Sequence, residues 1–566
     1  MHPRENHVKV LLLCSSFNGL SQRTWTELRG AGHDVRVQLA GDPEAAIGAA
    51  AALEPDVILC PFIKERVPAE IWQRYRTIII HPGPPGDRGP SSLDWAISAA
   101  EPSWGVTALQ AVEEMDAGPI WGYRTFALPA DPPRKSSLYN GAVTQAAIEL
   151  VHEVVAKAAD RSFLPRELVY CAPDVRGRLR PLMRQADRAF SWSDPTADIV
   201  RRIRAADSSP GVRTTIAGAE VSVYDARPGP RFPGRPGTVL QRSRGAVLVR
   251  TGDGSVWIGH AKLRDRDQPK LPTNLALGHL LGQVPKVADP PGYREISYFR
   301  TGPVGVLTFD FYNGAMSTGQ CERLAAALRH ATTQDTRVLV VRGGEVFSNG
   351  IHLNVIEAAP SPGIEAWHNI KAIDDVCREI ICCTGQLVVT SVGGNAGAGG
   401  VMLALGGDEV LMREGVVLNP HYRTMGLFGS EYWTYVLPRR VGTYQAGVLT
   451  SRCEPVNSAD ALRIRLADQV LPGPRPSFED MVLAHARRLA GHDDYYRLLE
   501  RKRADRAADE RRRPLDVYRT EELAAMSRDI FDDRLGFAAA RHAFVMKRPA
   551  DTQRTDTRTG AQRIVA

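Results

Sequence analysis

The chain has 566 residues, 43% of them apolar and 24% charged, with 50 glycines and 39 prolines. At about 100–200 residues per domain this length implies several domains, and the composition excludes a wholly disordered, collagen-like or membrane-spanning chain. The formal net charge of +7 is too small over this length to designate a nucleic-acid partner, and neither zinc-finger spacing nor an RNP motif is present.

Residues 8–14 read as a buried strand, 21–31 as a helix, 35–39 as a strand, 43–53 as an Ala-rich helix, and 57–60 and 77–80 as further strands. Short apolar runs alternating with helical patterns predict a parallel α/β domain over 1–165. Ligands of such sheets bind at the carboxyl ends of the strands. After an Arg- and Pro-rich stretch at 171–187 comes a helix over 195–207, with Asp194 as its N-cap and Pro195 at its first position. Short runs near 221–224, 239–240, 246–250 and 256–258, separated by Gly, Pro and Asp-Gly turns, predict a small β-barrel-like module spanning 166–275. Residues 276–295 read as a linker.

A second α/β domain, 296–546, opens with a strand at 304–309, a helix at 318–331 and a strand at 338–342. A strand at 387–392 then runs into Gly393–Gly394–Asn395–Ala396–Gly397–Ala398–Gly399–Gly400, and helices follow. The Thr- and Arg-rich residues 547–566 read as a disordered tail. The densest basic stretch, 497–513, sets eight cationic residues against four acidic ones. Its Arg501/Asp505 and Arg506/Glu510 spacings suit i,i+4 pairs on a solvated helix; the other reading is a surface for an anionic ligand or partner. Eight scattered cysteines include no C-x-x-C and no Cys/His spacing for zinc, so no metal site is expected. Without a signal peptide or a membrane-length apolar run, the expectation is a multidomain α/β protein of the cytoplasm, with no membrane or nucleic-acid partner.

The first chemical constellation follows the strand at 77–80. It comprises His81–Pro82–Gly83, then Gly86–Asp87–Arg88–Gly89–Pro90–Ser91–Ser92–Leu93–Asp94–Trp95–Ala96–Ile97, Gly105–Val106–Thr107 and Met115–Asp116–Ala117–Gly118. A histidine at a strand's carboxyl end can face ligand on a fixed backbone and exchange protons near neutral pH. A carboxylate on a nearby loop would orient it. On these residues alone a structural histidine is the favoured reading.

The stretch resembles the folate-dependent formyltransferases, and residues 192–206 resemble part of that family's C-terminal barrel. The resemblance implies that His81 and Asp116 act on the formyl group of 10-formyltetrahydrofolate, with Arg88 and Ser91 as cofactor-binding residues. One position departs. The family's catalytic Asn, two residues before the histidine, is here Ile79. Losing such an oxyanion donor typically costs ~3–4 kcal/mol of transition-state stabilisation.

The second constellation joins Phe347–Ser348–Asn349–Gly350 to the Gly-rich stretch 393–400, with Asn313–Gly314–Ala315–Met316–Ser317 and Leu437–Pro438–Arg439 as further landmarks. A Gly-rich loop alone is a turn or a ligand cradle. Together these segments resemble the enoyl-CoA hydratase/isomerase (crotonase) superfamily over 300–470. The resemblance implies a thioester carbonyl held by two backbone N–H groups, at Asn349 and Gly399. The hydratase's two glutamates fall on Met402 and His421, so water addition by the usual route is not expected. Tyr422 and Glu431 are the candidate acid/base pair, against the reading of an aromatic core segment with a surface Glu. Arg541 and Lys547 are candidate CoA contacts, against that of a basic helix end complementing its dipole.

The two halves in this order, with Gly429–Ser430–Glu431–Tyr432–Trp433, resemble the HypX (HoxX) family of hydrogenase maturation factors. That resemblance implies synthesis of carbon monoxide for the iron centre of [NiFe]-hydrogenase. Formyl would pass from 10-formyltetrahydrofolate to coenzyme A, and formyl-CoA would be decarbonylated in the second half. Partners would be the [NiFe]-hydrogenase large subunit or iron-centre assembly proteins. The alternatives are a formyltetrahydrofolate hydrolase, a formyltransferase to another acceptor with a CoA-binding regulatory half, and a non-catalytic maturation scaffold.

Overall fold

The computed structural model describes residues 7–265 and 267–547; apart from Lys547, the expected tail at 547–566 lies outside the described residues. The chain divides into two compact units, the division falling between Tyr293 and Arg294.

In the first unit, strands β1 (Lys9–Cys14), β2 (Asp34–Leu39), β3 (Val57–Cys60), β4 (Thr77–His81), β5 (Ser103–Gln110) and β6 (Ile120–Ala127) form one sheet in the order β2-β1-β3-β4-β5-β6. The first four are parallel, and β5 and β6 are antiparallel to their neighbours. β1 and β3 are buried almost throughout, as parallel strands sandwiched by helices must be. The expected bounds hold to within a residue or two, and β4 runs one residue further than expected. His81 is therefore its last pairing residue, opposite Thr107.

The helix expected from Pro195 spans Thr196–Ala205, and its cap is not Asp194. The Asp194 carboxylate instead accepts the Ser191 N–H at 3.0 Å, while Asp253 takes the Thr196 N–H at 2.8 Å. A donor that local sequence assigned to one aspartate is satisfied by another 57 residues on. Strands β7 (Val212–Ile216), β8 (Ala219–Gly229), β9 (Val239–Arg242), β10 (Val247–Arg250), β11 (Ser255–Leu263) and β12 (Leu271–Pro272) make an antiparallel sheet, β7-β8-β11-β10-β9 with β12 on β11. The stretch expected as a linker packs against it. Leu277, Leu281 and Tyr293 are buried, Arg242 N–H donates to Pro285 O, and Trp257 Nε1 donates to Pro291 O. Its prolines set corners in a docked segment, and its large apolar side chains hold it down.

In the second unit, β13 (Ile296–Thr301), β14 (Val304–Phe309), β15 (Val338–Arg342), β16 (Leu387–Val392), β18 (Glu409–Arg413) and β21 (Gln469–Leu471) form a sheet in that order. It is parallel except for β13. A small second sheet joins β17 (Ala396–Gly397), β19 (Val417–Asn419) and β20 (Val456–Asn457). Helices Thr318–Thr332 and Pro362–Ile381 cover one face through Leu324, Leu328, Ile373 and Cys377. Helix Arg475–Ala490 covers the other through Phe478 and Val482. The basic stretch lies in helix Tyr495–Arg512 and carries both expected ion pairs, Arg501–Asp505 and Arg506–Glu510. Among the described residues no helix is long and apolar enough to cross a membrane. None of the eight cysteines is in a disulfide, and five of them are buried.

Candidate active sites

The first site grows out of the carboxyl end of β4. The chain turns immediately after His81, and the Pro82 and Gly83 carbonyls of that turn are fixed by side-chain donors. Trp104 Nε1 and Ser92 Oγ donate to Pro82 O at 2.9 and 2.7 Å, and Thr107 Oγ1 donates to Gly83 O at 2.7 Å. The turn folds Asp87 back onto the histidine, His81 Nε2 lying 2.9 Å from Asp87 Oδ2. Gly83 is what lets them meet, because a Cβ there would stand 2.3 Å from that carboxylate oxygen.

Asp116 approaches the other ring nitrogen, its Oδ1 3.6 Å from His81 Nδ1. It sits in left-handed backbone at φ 56°, a conformation that costs an L-residue ~1–2 kcal/mol. Two contacts hold the loop there. The Gly89 N–H donates to Asp116 Oδ2, and Arg88 grips the preceding residues through Met115 O at 3.1 Å and Glu114 at 2.6 Å. Arg88 also reaches Tyr170, so its guanidinium is occupied in fastening the Asp116 loop. Ser91 Oγ accepts the Met183 N–H at 3.1 Å.

Burial lowers the proton affinity of His81. The hydrogen bond to Asp87 and the charges of Asp116 and Asp87 outweigh it, and the histidine pKa is raised. The arrangement favours the protonated ring, set between the side chains of Asp87 and Asp116. Asp87 was not singled out in sequence, although it stands in the quoted Gly86–Asp87–Arg88 motif; its role depends on a reversal that spacing does not reveal. Ile79 packs against the apolar cluster of Leu11, Ile58 and Cys60, so its side chain contributes no donor.

The second site forms where the two Gly-rich segments run side by side. Ser348 bridges Ala396, and the Gly397 N–H donates to Ser348 O at 2.8 Å. Gly399 opens helix Gly399–Leu405, so its N–H has no intrahelical acceptor. Asn349 needs correction as the other carbonyl donor. It is exposed, and its N–H already donates to Gly314 O at 2.7 Å. The Ile351 N–H, two residues on, has no acceptor among the described residues. The intervening Gly350 backs onto Gly399, a Cβ on it reaching 3.4 Å from the Gly399 nitrogen.

Glu431 fills the space beside Gly399, where an added Cβ would lie 2.0 Å from Glu431 Oε1. The two carboxylate oxygens are unequal. Oε2 accepts from Tyr422 Oη at 2.9 Å, Ser430 Oγ at 3.0 Å and Ser430 N at 3.2 Å. Oε1 accepts no hydrogen bond among the described residues and faces the glycine. Burial raises the Glu431 pKa against these hydrogen bonds. Burial and the neighbouring Glu431 charge push the Tyr422 phenol far up, so it stays protonated. Met402 is fully buried in the core. Burial lowers the His421 pKa, and its Nδ1 lies 2.8 Å from Asn419 O, as in a neutral ring donating there.

Arg541 is buried and paired with Glu357 at 2.6 Å, while Lys547 ends helix Phe537–Met546 in left-handed backbone. The dipeptide Glu431–Tyr432 is also left-handed, at φ 62° and 57°. Its N–H groups end on Asp374 Oδ1 at 2.8 Å and Glu522 Oε2 at 2.9 Å. These two carboxylates come from helices distant in sequence, and no local motif announces them.

Residues 182–274 match the family "Formyl transferase, C-terminal domain", and residues 303–551 match "Enoyl-CoA hydratase/isomerase". The chain is 28% identical to a methionyl-tRNA formyltransferase of Synechococcus, over 43% of this chain and 77% of that one. It is 43% identical to the hydrogenase maturation factor HoxX of Bradyrhizobium diazoefficiens, over 96% of this chain and 95% of that one. The crystal structure of HypX from Aquifex aeolicus in complex with tetrahydrofolic acid matches at a TM-score of 0.92 and 40% identity, covering 96% of this chain and 97% of that one. With both halves matched in one continuous relative, the chain belongs to the HypX (HoxX) family of hydrogenase maturation factors.

Proposed function

We propose that this protein makes carbon monoxide from 10-formyltetrahydrofolate in two steps, with coenzyme A carrying the formyl group between them, and that the product serves the iron centre of a [NiFe]-hydrogenase. Folate as first substrate is supported by the tetrahydrofolic acid complex of the Aquifex relative. CoA as carrier is supported by the enoyl-CoA hydratase/isomerase match and the glycine cradle.

In the first step the CoA sulfur attacks the formyl carbon, its thiol proton leaves, and the C–N10 bond breaks as a proton reaches N10. His81 delivers that proton, and Asp87 and Asp116 hold the imidazolium that carries it. In the second step the N–H groups of Gly399 and Ile351 hold the formyl oxygen, where two fixed donors stabilise developing charge. Glu431 Oε1 takes the formyl proton, the C–H electron pair stays on carbon as the lone pair of CO, and the C–S pair leaves with sulfur. The proton returns to the thiolate, so CoA is regenerated. Tyr422, protonated and bonded to Oε2, keeps the carboxylate turned so that Oε1 faces the cradle.

The observation that carries this reading is the open Oε1 of a buried carboxylate set against a glycine amide, where the hydratase glutamates are missing. It is tested by supplying formyl-CoA without folate. CO and free CoA should form in equal amounts; formate with free CoA, or no turnover, contradicts the reading. Gly399→Ala, whose Cβ would displace Oε1, is expected to lower CO release by about 10²-fold or more while formyl-CoA is still made from folate, measured as CO in the headspace.

A further inference from the structure

Two consecutive left-handed residues, neither glycine, persist only where their surroundings over-determine them. The 428–434 turn is held in this way along its main chain. The Phe428 N–H donates to Asp529 at 2.7 Å, Glu431 to Asp374 at 2.8 Å, and Tyr432 and Thr434 to the two oxygens of Glu522 at 2.9 and 2.8 Å. Asp374 stands on helix Pro362–Ile381, and Glu522 and Asp529 on helix Leu515–Phe531. All three are fully buried. Asp529 has Arg534 at 2.6 Å, whereas the nearest cation to Asp374 is Arg519, 3.8 Å from its Oδ2. Amide side chains could accept the same N–H groups without bringing charge into the interior, where an ion is costly.

We propose that Asp374 and Glu522 are positioning residues for Glu431, holding by its N–H groups the left-handed turn that presents this carboxylate to the Gly399 cradle. The proposal rests on the decarbonylation reading above. Glu431 is faced by Tyr422 and Ser430 from its own loop, Asp374 and Cys377 from one helix, Glu522 from a second and Cys321 from a third. Burial and the charges of Glu431 and Glu522 raise the Asp374 pKa strongly, and burial chiefly lifts Glu522 to about 8.

The test measures kcat and KM for CO release from formyl-CoA in Asp374→Ala, Asp374→Asn, Glu522→Ala and Glu522→Gln, with crystal structures of the alanine variants. The alanine variants are expected to lose about tenfold or more in kcat with KM little changed, and φ at Glu431 should leave the left-handed region. The amide variants should recover most of kcat, because their carbonyl oxygens can accept the same N–H groups. Unchanged kcat in the alanine variants overturns the proposal. So does equal impairment of alanine and amide variants. If the wild-type protein releases no CO from formyl-CoA, the decarbonylation reading falls by itself. The crystal structures then decide the clamp, a relaxed turn supporting it and an unaltered turn overturning it.

Discussion

Glu431→Gln is expected to lower CO release from formyl-CoA by about 10²–10⁴-fold, the usual contribution of a positioned general base, and formyl-CoA should accumulate when the variant is given 10-formyltetrahydrofolate and CoA. The substitution keeps the volume beside Gly399 and keeps an oxygen for the Tyr422 and Ser430 donors. What it removes is the ability to accept a proton at Oε1. Accumulation of the thioester, read by chromatography of the CoA pool, separates this outcome from a misfolded second half, which would neither bind nor retain it.

His81→Ala is expected to give the complementary result. Formyl transfer from folate should fall by about 10²–10⁴-fold, while formyl-CoA added directly is still converted to CO. The pH dependence carries a further signature. The hydrogen bond to Asp87 and the charges of Asp116 and Asp87 raise the His81 pKa against burial, so the imidazolium that protonates N10 survives to higher pH than an ordinary histidine would allow. Asp87→Asn removes one of those charges, and the basic limb of the formyl-transfer rate should move to lower pH, as measured by tetrahydrofolate appearance across a buffer series. An unmoved limb would mean that Asp87 only shapes the turn.

Much of this organisation was legible in the residues. Strands β14, β15 and β16 fall at the expected bounds because each is a short apolar run fully inside a sheet, where burial sets both ends. His81 and Glu431 became candidates through the family resemblances of their flanking motifs, and the structure sets each against a partner the motif does not name, Asp87 for His81 and the Gly399 backbone for Glu431. What escaped depends on long-range contact. Asp253 displaced Asp194 as a cap because tertiary placement decided which carboxylate met the amide. The stretch at 276–295 reads as a linker because proline and glycine mark corners equally in docked and free chain. Asn349 is lost as a cradle donor because the Gly314 carbonyl, 35 residues earlier in the chain, engages its N–H. Asp374 and Glu522 reach their turn from helices 57 and 90 residues away.

The most direct measurement of the central claim is to give the purified protein 10-formyltetrahydrofolate labelled in its formyl carbon, with and without CoA, and to trap the gas with reduced haemoglobin. The account predicts labelled CO only when CoA is present, with CoA recovered unchanged and CO lowered by about 10²–10⁴-fold in both the His81→Ala and the Glu431→Gln protein. Labelled formate in place of CO, or CO that forms equally well without CoA, would contradict it.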